Sequence, residues 1–165
     1  MTAEAEARYA RPMSIDQTGA IRVAHHLAFA PEAAFDAWVV PAIACQWLFA
    51  TPGGEIVRCD IDARPGGSFV ITDRRRGEDV EHVGTYVEVE RPRRLAFAFG
   101  VPKYSSALSR VEVSVVPADA GVDVTVRNLD VPSEWREQTE QGWRDLLGSL
   151  AVVLAREDKR PSLGR

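Results

Sequence analysis

Three histidines, two cysteines, three tyrosines and four tryptophans are the side chains of this 165-residue chain best suited to chemistry, and their spacing limits what that chemistry can be. His25 and His26 are adjacent. On a strand, neighbours point to opposite faces, so the pair cannot hold one ion together. His82 falls on a different predicted strand, and no His-x-x-x-His or clustered cysteine accompanies it, so no metal site is expected. Cys45 lies among apolar residues near Trp47. Cys59 sits between Arg58 and Asp60, sharing a strand face with Val57 and Ile61. With no Cys-x-x-Cys, both read as reduced thiols with packing roles in a cytoplasmic protein. No Gly-x-Ser-x-Gly elbow and no phosphate-cradling loop occurs, and no cofactor is implied.

Polar residues on otherwise apolar faces carry the remaining options. His25 shares a face with Val23, Leu27 and Phe29, which directs it inward, either as a satisfied core residue or as a ligand or acid–base group. Tyr86 follows Gly84 on one strand face and is either a half-buried sheet tyrosine or a hydroxyl offered to a ligand. In an enzyme, these two are the catalytic candidates. Gln138 flanks an apolar helical stripe between Trp135 and Gly142, where a cavity mouth would lie. Trp38, Trp47, Trp135 and Trp143 suit aromatic cavity walls and plain core packing equally. Gly142 either lets a helix approach the sheet closely or leaves room beneath it. With Phe97, the candidate ligand-binding set is Trp38, Trp47, Tyr86, Phe97, Trp135, Gln138, Gly142 and Trp143. Arg58, Asp60, Arg110 and Glu112 recur at spacings of two and read as a solvated charged face.

These residues need elements to position them. From Ile21, alternation of Val23, His25, Leu27 and Phe29 predicts a strand. Pro31 and Pro41 open two short helices, the first carrying Phe35 and Trp38, the second Ile43, Trp47 and Leu48. Strand patterns follow at about 55–62, 67–73, 82–90, 93–100, 109–117 and 121–129, broken by turn residues such as Pro65-Gly66-Gly67 and Gly77. Ser133 reads as an N-cap with Glu134 and Glu137 in the first turn. From Trp135 to Leu154 apolar residues repeat every three or four positions, predicting a helix of about six turns. Residues 1–18 read as a flexible lead-in, 19–155 as one domain and 156–165 as a flexible tail. Short links between consecutive strands favour antiparallel pairing, and the helix stripe must bury itself on the sheet.

The order of strands and helices predicts an α+β domain, and hydrophobic residues at 45% with charged residues at 27% are the balance of a soluble globular protein. A net charge of -4 argues against nucleic-acid binding, which wants a basic face. No apolar run approaches the roughly 20 residues needed to cross a bilayer, so no membrane partner is expected. The first twelve residues lack the apolar stretch of a secretory signal.

Several local signatures, in order, resemble the START-like helix-grip superfamily. More narrowly, the chain is similar to the family named for the C-terminal domain of the heat-shock-protein-90 ATPase activator. Phe35-Asp36-Ala37-Trp38 followed by Pro41 and Trp47 is similar to its helix-pair opening. Arg64-Pro65-Gly66-Gly67-Ser68-Phe69 resembles its hairpin, and Gly84-Thr85-Tyr86-Val87-Glu88-Val89 with Pro92-Arg93-Arg94-Leu95 the next strands. Gln141-Gly142-Trp143 resembles the start of its last helix. Two positions depart. Arg127-Asn128-Leu129 stands where many relatives carry a histidine, and Phe99 where they often have tryptophan.

The resemblance implies a helix-grip fold, a curved antiparallel sheet of about seven strands around a long C-terminal helix, with two short helices after the first strand. It implies a cavity between helix and sheet for a small hydrophobic or aromatic molecule, of roughly 300–1,000 Å³ if typical. Two alternatives stand beside the binder: an acid–base enzyme of the cyclase, aromatase or hydrolase kind on a polyketide-like substrate, and a chaperone-ATPase-activator-like interaction module. A homodimer is common for the fold, and the sequence leaves it open.

Overall fold

Val122, Val124 and Val126 are buried while Asp123 between them is exposed, and that alternation gives the sheet its inner and outer faces. The computed structural model describes residues 19–159; the expected lead-in over 1–18 and the end of the tail over 160–165 lie outside the described residues. Seven strands form one antiparallel sheet: β1 (Ile21–Leu27), β2 (Glu55–Ile61), β3 (Ser68–Arg75), β4 (Glu78–Glu90), β5 (Arg94–Gly100), β6 (Ser109–Ala118) and β7 (Gly121–Asn128). Their spatial order is β1-β7-β6-β5-β4-β3-β2, so only β1 makes a long jump and β2 closes the opposite edge. Register aligns inner residues across strands: Leu95, Val113 and Val126 face one row, and Phe97, Val111 and Asn128 the next.

Two short helices, α1 (Pro31–Val39) and α2 (Pro41–Ala44), each begin at proline, where a missing N–H costs nothing. The long helix α3 (Arg136–Lys159) buries Trp143, Leu147, Leu150, Val153 and Leu154, spaced by three or four, against the sheet's inner face. It continues past the expected tail boundary, taking in Arg156–Lys159. Ser133 is not its cap. Ser133–Trp135 forms a separate turn of 3-10 helix behind Pro132, with no side-chain cap, so Trp135 precedes α3 instead of joining its stripe.

Gly84 shows how tightly the inner face is filled. A Cβ there would lie 2.3 Å from the Phe69 ring, so only glycine leaves the aromatic its place. On the outer face, Glu112 is buried instead of solvated, because Arg94, Arg110 and Arg127 close around its carboxylate. Arg58 and Asp60 pair at the exposed surface, as expected.

The cysteines correct the sequence reading. Cys45, at the end of α2, and Cys59, in β2, form a disulfide. A register shift between Ile56 and Arg58 breaks the period-two pattern, so Ile56 joins Cys59 and Ile61 against the core and Val57 turns outward. Edge strand β2 has no fully buried residue, and the bond ties it to the helix layer. The thiol argument for a reducing cytoplasm therefore no longer holds. No described helix is long and apolar enough to cross a membrane.

Candidate functional site

The space beneath the middle of α3 is occupied by aromatic side chains. Trp38 meets Trp47 edge-on at 4.7 Å and Trp143 at 6.0 Å, and all three are nearly inaccessible. The Trp47 indole donates to the Ala37 carbonyl at 2.8 Å, and the Trp143 indole to Asn128 Oδ1 at 2.9 Å. Phe69, Tyr86 and Phe97 pack against one another on the sheet side at 5.4 to 6.3 Å. Phe49 joins the two groups. It stacks on His82 at 4.5 Å and on Phe99 at 5.2 Å, with its backbone at φ +61°, a costly conformation for a bulky residue. His82 is sealed beneath this ring, and burial, reinforced by Arg75, pushes its pKa down to about 4, so it is neutral at pH 7. Burial likewise pushes the Tyr86 phenol up, keeping it protonated.

Beyond this aromatic plug, at the N-terminal end of α3, a pocket of about 200 Å³ opens. Its apolar walls are Phe99, Val101, Leu108, Val131, Pro132 and Trp135. Three pieces of chain converge on it: the β5–β6 loop, the segment after β7, and the first turns of the helix. The loop is shaped by its own hydrogen bonds, Tyr104 N–H to the Val101 carbonyl and Ala107 N–H to Ser105 Oγ. Tyr104, Leu108 and Trp135 are 59%, 61% and 48% exposed, so the mouth is ringed by large apolar groups in contact with water. Ser109, Asn128, Asp130 and Thr139 contribute polar atoms.

Asn128 is the residue that sequence reasoning passed over, noting only the histidine it replaces. It is 1% exposed. Its oxygen accepts from Trp143, and its amide lies 3.2 Å from Ser109 Oγ, 3.2 Å from the Arg110 carbonyl and 3.3 Å from the Leu129 carbonyl. Both the amide nitrogen and the oxygen of the carboxamide are thus engaged by protein. Asn128 fixes the wall between plug and pocket, with Ser109 keeping its own proton to donate.

Of the candidate ligand-binding set named from sequence, Trp135 alone borders this pocket. Trp38, Trp47, Tyr86, Phe97 and Trp143 are brought together in the plug. Gln138 and Gly142 lie on the outward side of α3, because the helix turns its Trp143–Leu147 stripe to the sheet and these two fall opposite. A Cβ on Gly142 would meet nothing within 4 Å, so the glycine marks neither close approach nor a roof over a cavity. His25 is half-buried on β1 opposite Val124, away from the pocket lining, and His26 pairs with Asp123 outside at 3.0 Å. The pocket is also smaller than a typical ligand site.

Comparison with known proteins agrees with this architecture. The family model described as activator of Hsp90 ATPase homolog 1-like protein matches residues 28–155. Protein CV1439 from Chromobacterium violaceum is similar at 21% identity over 84% of this chain and 98% of its own, with a TM-score of 0.76. The AHSA1-like protein from Aeromonas hydrophila is similar at 20% identity over 88% and 99%, with a TM-score of 0.72. DynU16, from the dynemicin biosynthetic locus, gives 20% identity over 82% of this chain and 47% of its own, at a TM-score of 0.66. Among curated proteins, none matches.

Proposed function

This chain belongs to the activator of Hsp90 ATPase homolog 1-like family, and we propose that it binds a small, largely apolar molecule in the pocket at the N-terminal end of α3. The observation that carries this reading is the coincidence of a cavity of about 200 Å³ with a ring of exposed Tyr104, Leu108 and Trp135. Large apolar side chains left in water are costly unless something covers them. An apolar cavity of ~150 Å³ is enough to take a benzene ring. A body of one or two rings is therefore the right scale. The acid–base alternative would need its groups at the pocket, and neither His25 nor Tyr86 lines it.

Native mass spectrometry of gently purified protein, repeated on an Ala107→Trp variant that fills the pocket, tests this reading. The expected result is a bound mass that leaves on denaturation and is missing from the variant. A bound mass kept equally by the variant would contradict it. So would a bare protein that also fails to take up 3-phenylpropanol as a probe.

A further inference from the structure

Charge around the pocket narrows the ligand further. Among the described residues, Asp130 is the only charged one of the lining, and it is exposed at the rim. It makes no ion pair with any described residue, so its carboxylate faces the mouth uncompensated. Four basic residues stand next to pocket positions in sequence, and Arg127, beside Asn128, closes on Glu112 at the outer face. Lys103, beside Tyr104, reaches Glu78 at 3.8 Å. Arg110, beside Ser109, lies on the outer face with Glu112 at 3.2 Å. Arg136, beside Trp135, donates to the Gly19 carbonyl at 2.9 Å. The positive end of α3 also points this way, but Glu137 in its first turn and Glu134 in the 3-10 turn before it offset it. The chain as a whole carries -4.

Among the described residues, an anion entering here would meet apolar walls, a repelling carboxylate and no cationic side chain in the lining. A cation would meet the opposite: one carboxylate, together with the exposed faces of Trp135 and Tyr104, which attract positive charge through their π systems. Resting on the binding function proposed above, we infer that the pocket selects cationic amphiphiles, a small aromatic or apolar body ending in an amine, and rejects fatty acids and other carboxylates. The body sits against Phe99, Val131 and Trp135. The ammonium stays at the rim by Asp130, where it keeps part of its hydration.

Three probes with one body test this on the full chain: 3-phenylpropylamine, 3-phenylpropanol and 3-phenylpropanoate, titrated by calorimetry at low salt. The expected order is amine, then alcohol, then carboxylate, with about a tenfold gap between the first and last. The variant for comparison is Asp130→Asn. Asp130 holds φ +61°, which asparagine adopts readily, so the fold is kept while the charge is lost. In that variant the amine should weaken about fivefold, to the level of the alcohol, while the alcohol is unchanged. Equal affinity for the three probes, or an amine unaffected by Asp130→Asn, would overturn the charge selection and leave the cavity reading standing. Binding of none of the three would overturn both.

Discussion

Beneath the middle of α3, Trp38, Trp47 and Trp143 are packed to near-zero exposure, whereas immediately before the helix begins Trp135 stands 48% exposed beside an open pocket. The residue type is the same and the settings are opposite. In the plug, each tryptophan is surrounded by rings and two of the three indole N–H groups have buried acceptors. At the pocket, the 3-10 turn behind Pro132 lifts Trp135 off the helical stripe, and the β5–β6 loop does not close over it. The two settings divide the molecule, with stability concentrated beneath α3 and accessible apolar surface at its N-terminal end.

Substitutions in the two parts should therefore separate. Trp47→Ala should cost about 3–5 kcal/mol of unfolding free energy by denaturant titration, since it leaves a large cavity and an orphaned Ala37 carbonyl. Acid probes the same region through His82. Its pKa of about 4 in the fold lies below the ordinary 6.5, so the unfolded chain takes up the proton first as pH falls. Stability should be full above about pH 6.5 and decline toward pH 4, with His82 contributing on the order of 3 kcal/mol, and a His82→Phe variant should lose that part of the slope. Opening the Cys45–Cys59 bond with dithiothreitol should cost about 2–3 kcal/mol, because it frees a loop spanning 14 residues, and hydrogen exchange should quicken first in β2. Smallest of all, Trp135→Ala should change stability by under about 1 kcal/mol while weakening probe binding several-fold, measured by calorimetry. A Trp135 variant as destabilised as the Trp47 one would erase the division.

Much of the frame was legible in the chain itself. Valines at 122, 124 and 126, prolines at 31 and 41, and leucines at 147, 150 and 154 obey periods that leave few choices, and each element lies within a few residues of its expected place. The failures share a cause: they depend on what lies across space. Cys45 and Cys59 meet only after α2 docks on β2, and a bulge between Ile56 and Arg58 rotates the pattern that would have hinted at it. Glu112 is buried by Arg110 of its own strand together with Arg94 and Arg127 of the two neighbouring strands, which its own alternation cannot reveal. The pocket is lined by loop residues such as Val101, Leu108 and Asp130, which obey no period. Gln138, expected at a cavity mouth beside the helical stripe, and Gly142, expected to face the sheet, both turn outward, since a shift of one position along a helix turns a side chain by about 100°.

Chemical-shift mapping tests the division most directly. Labelled protein titrated with 3-phenylpropylamine should show amide and indole shifts clustered at Phe99–Ser109, Asn128–Trp135 and Thr139, with the Trp38 and Trp47 indole signals unmoved. Shifts centred on Trp38, Trp47 and Tyr86 would mean that the plug opens to admit the ligand, and would contradict the assignment of binding to the pocket at the end of α3.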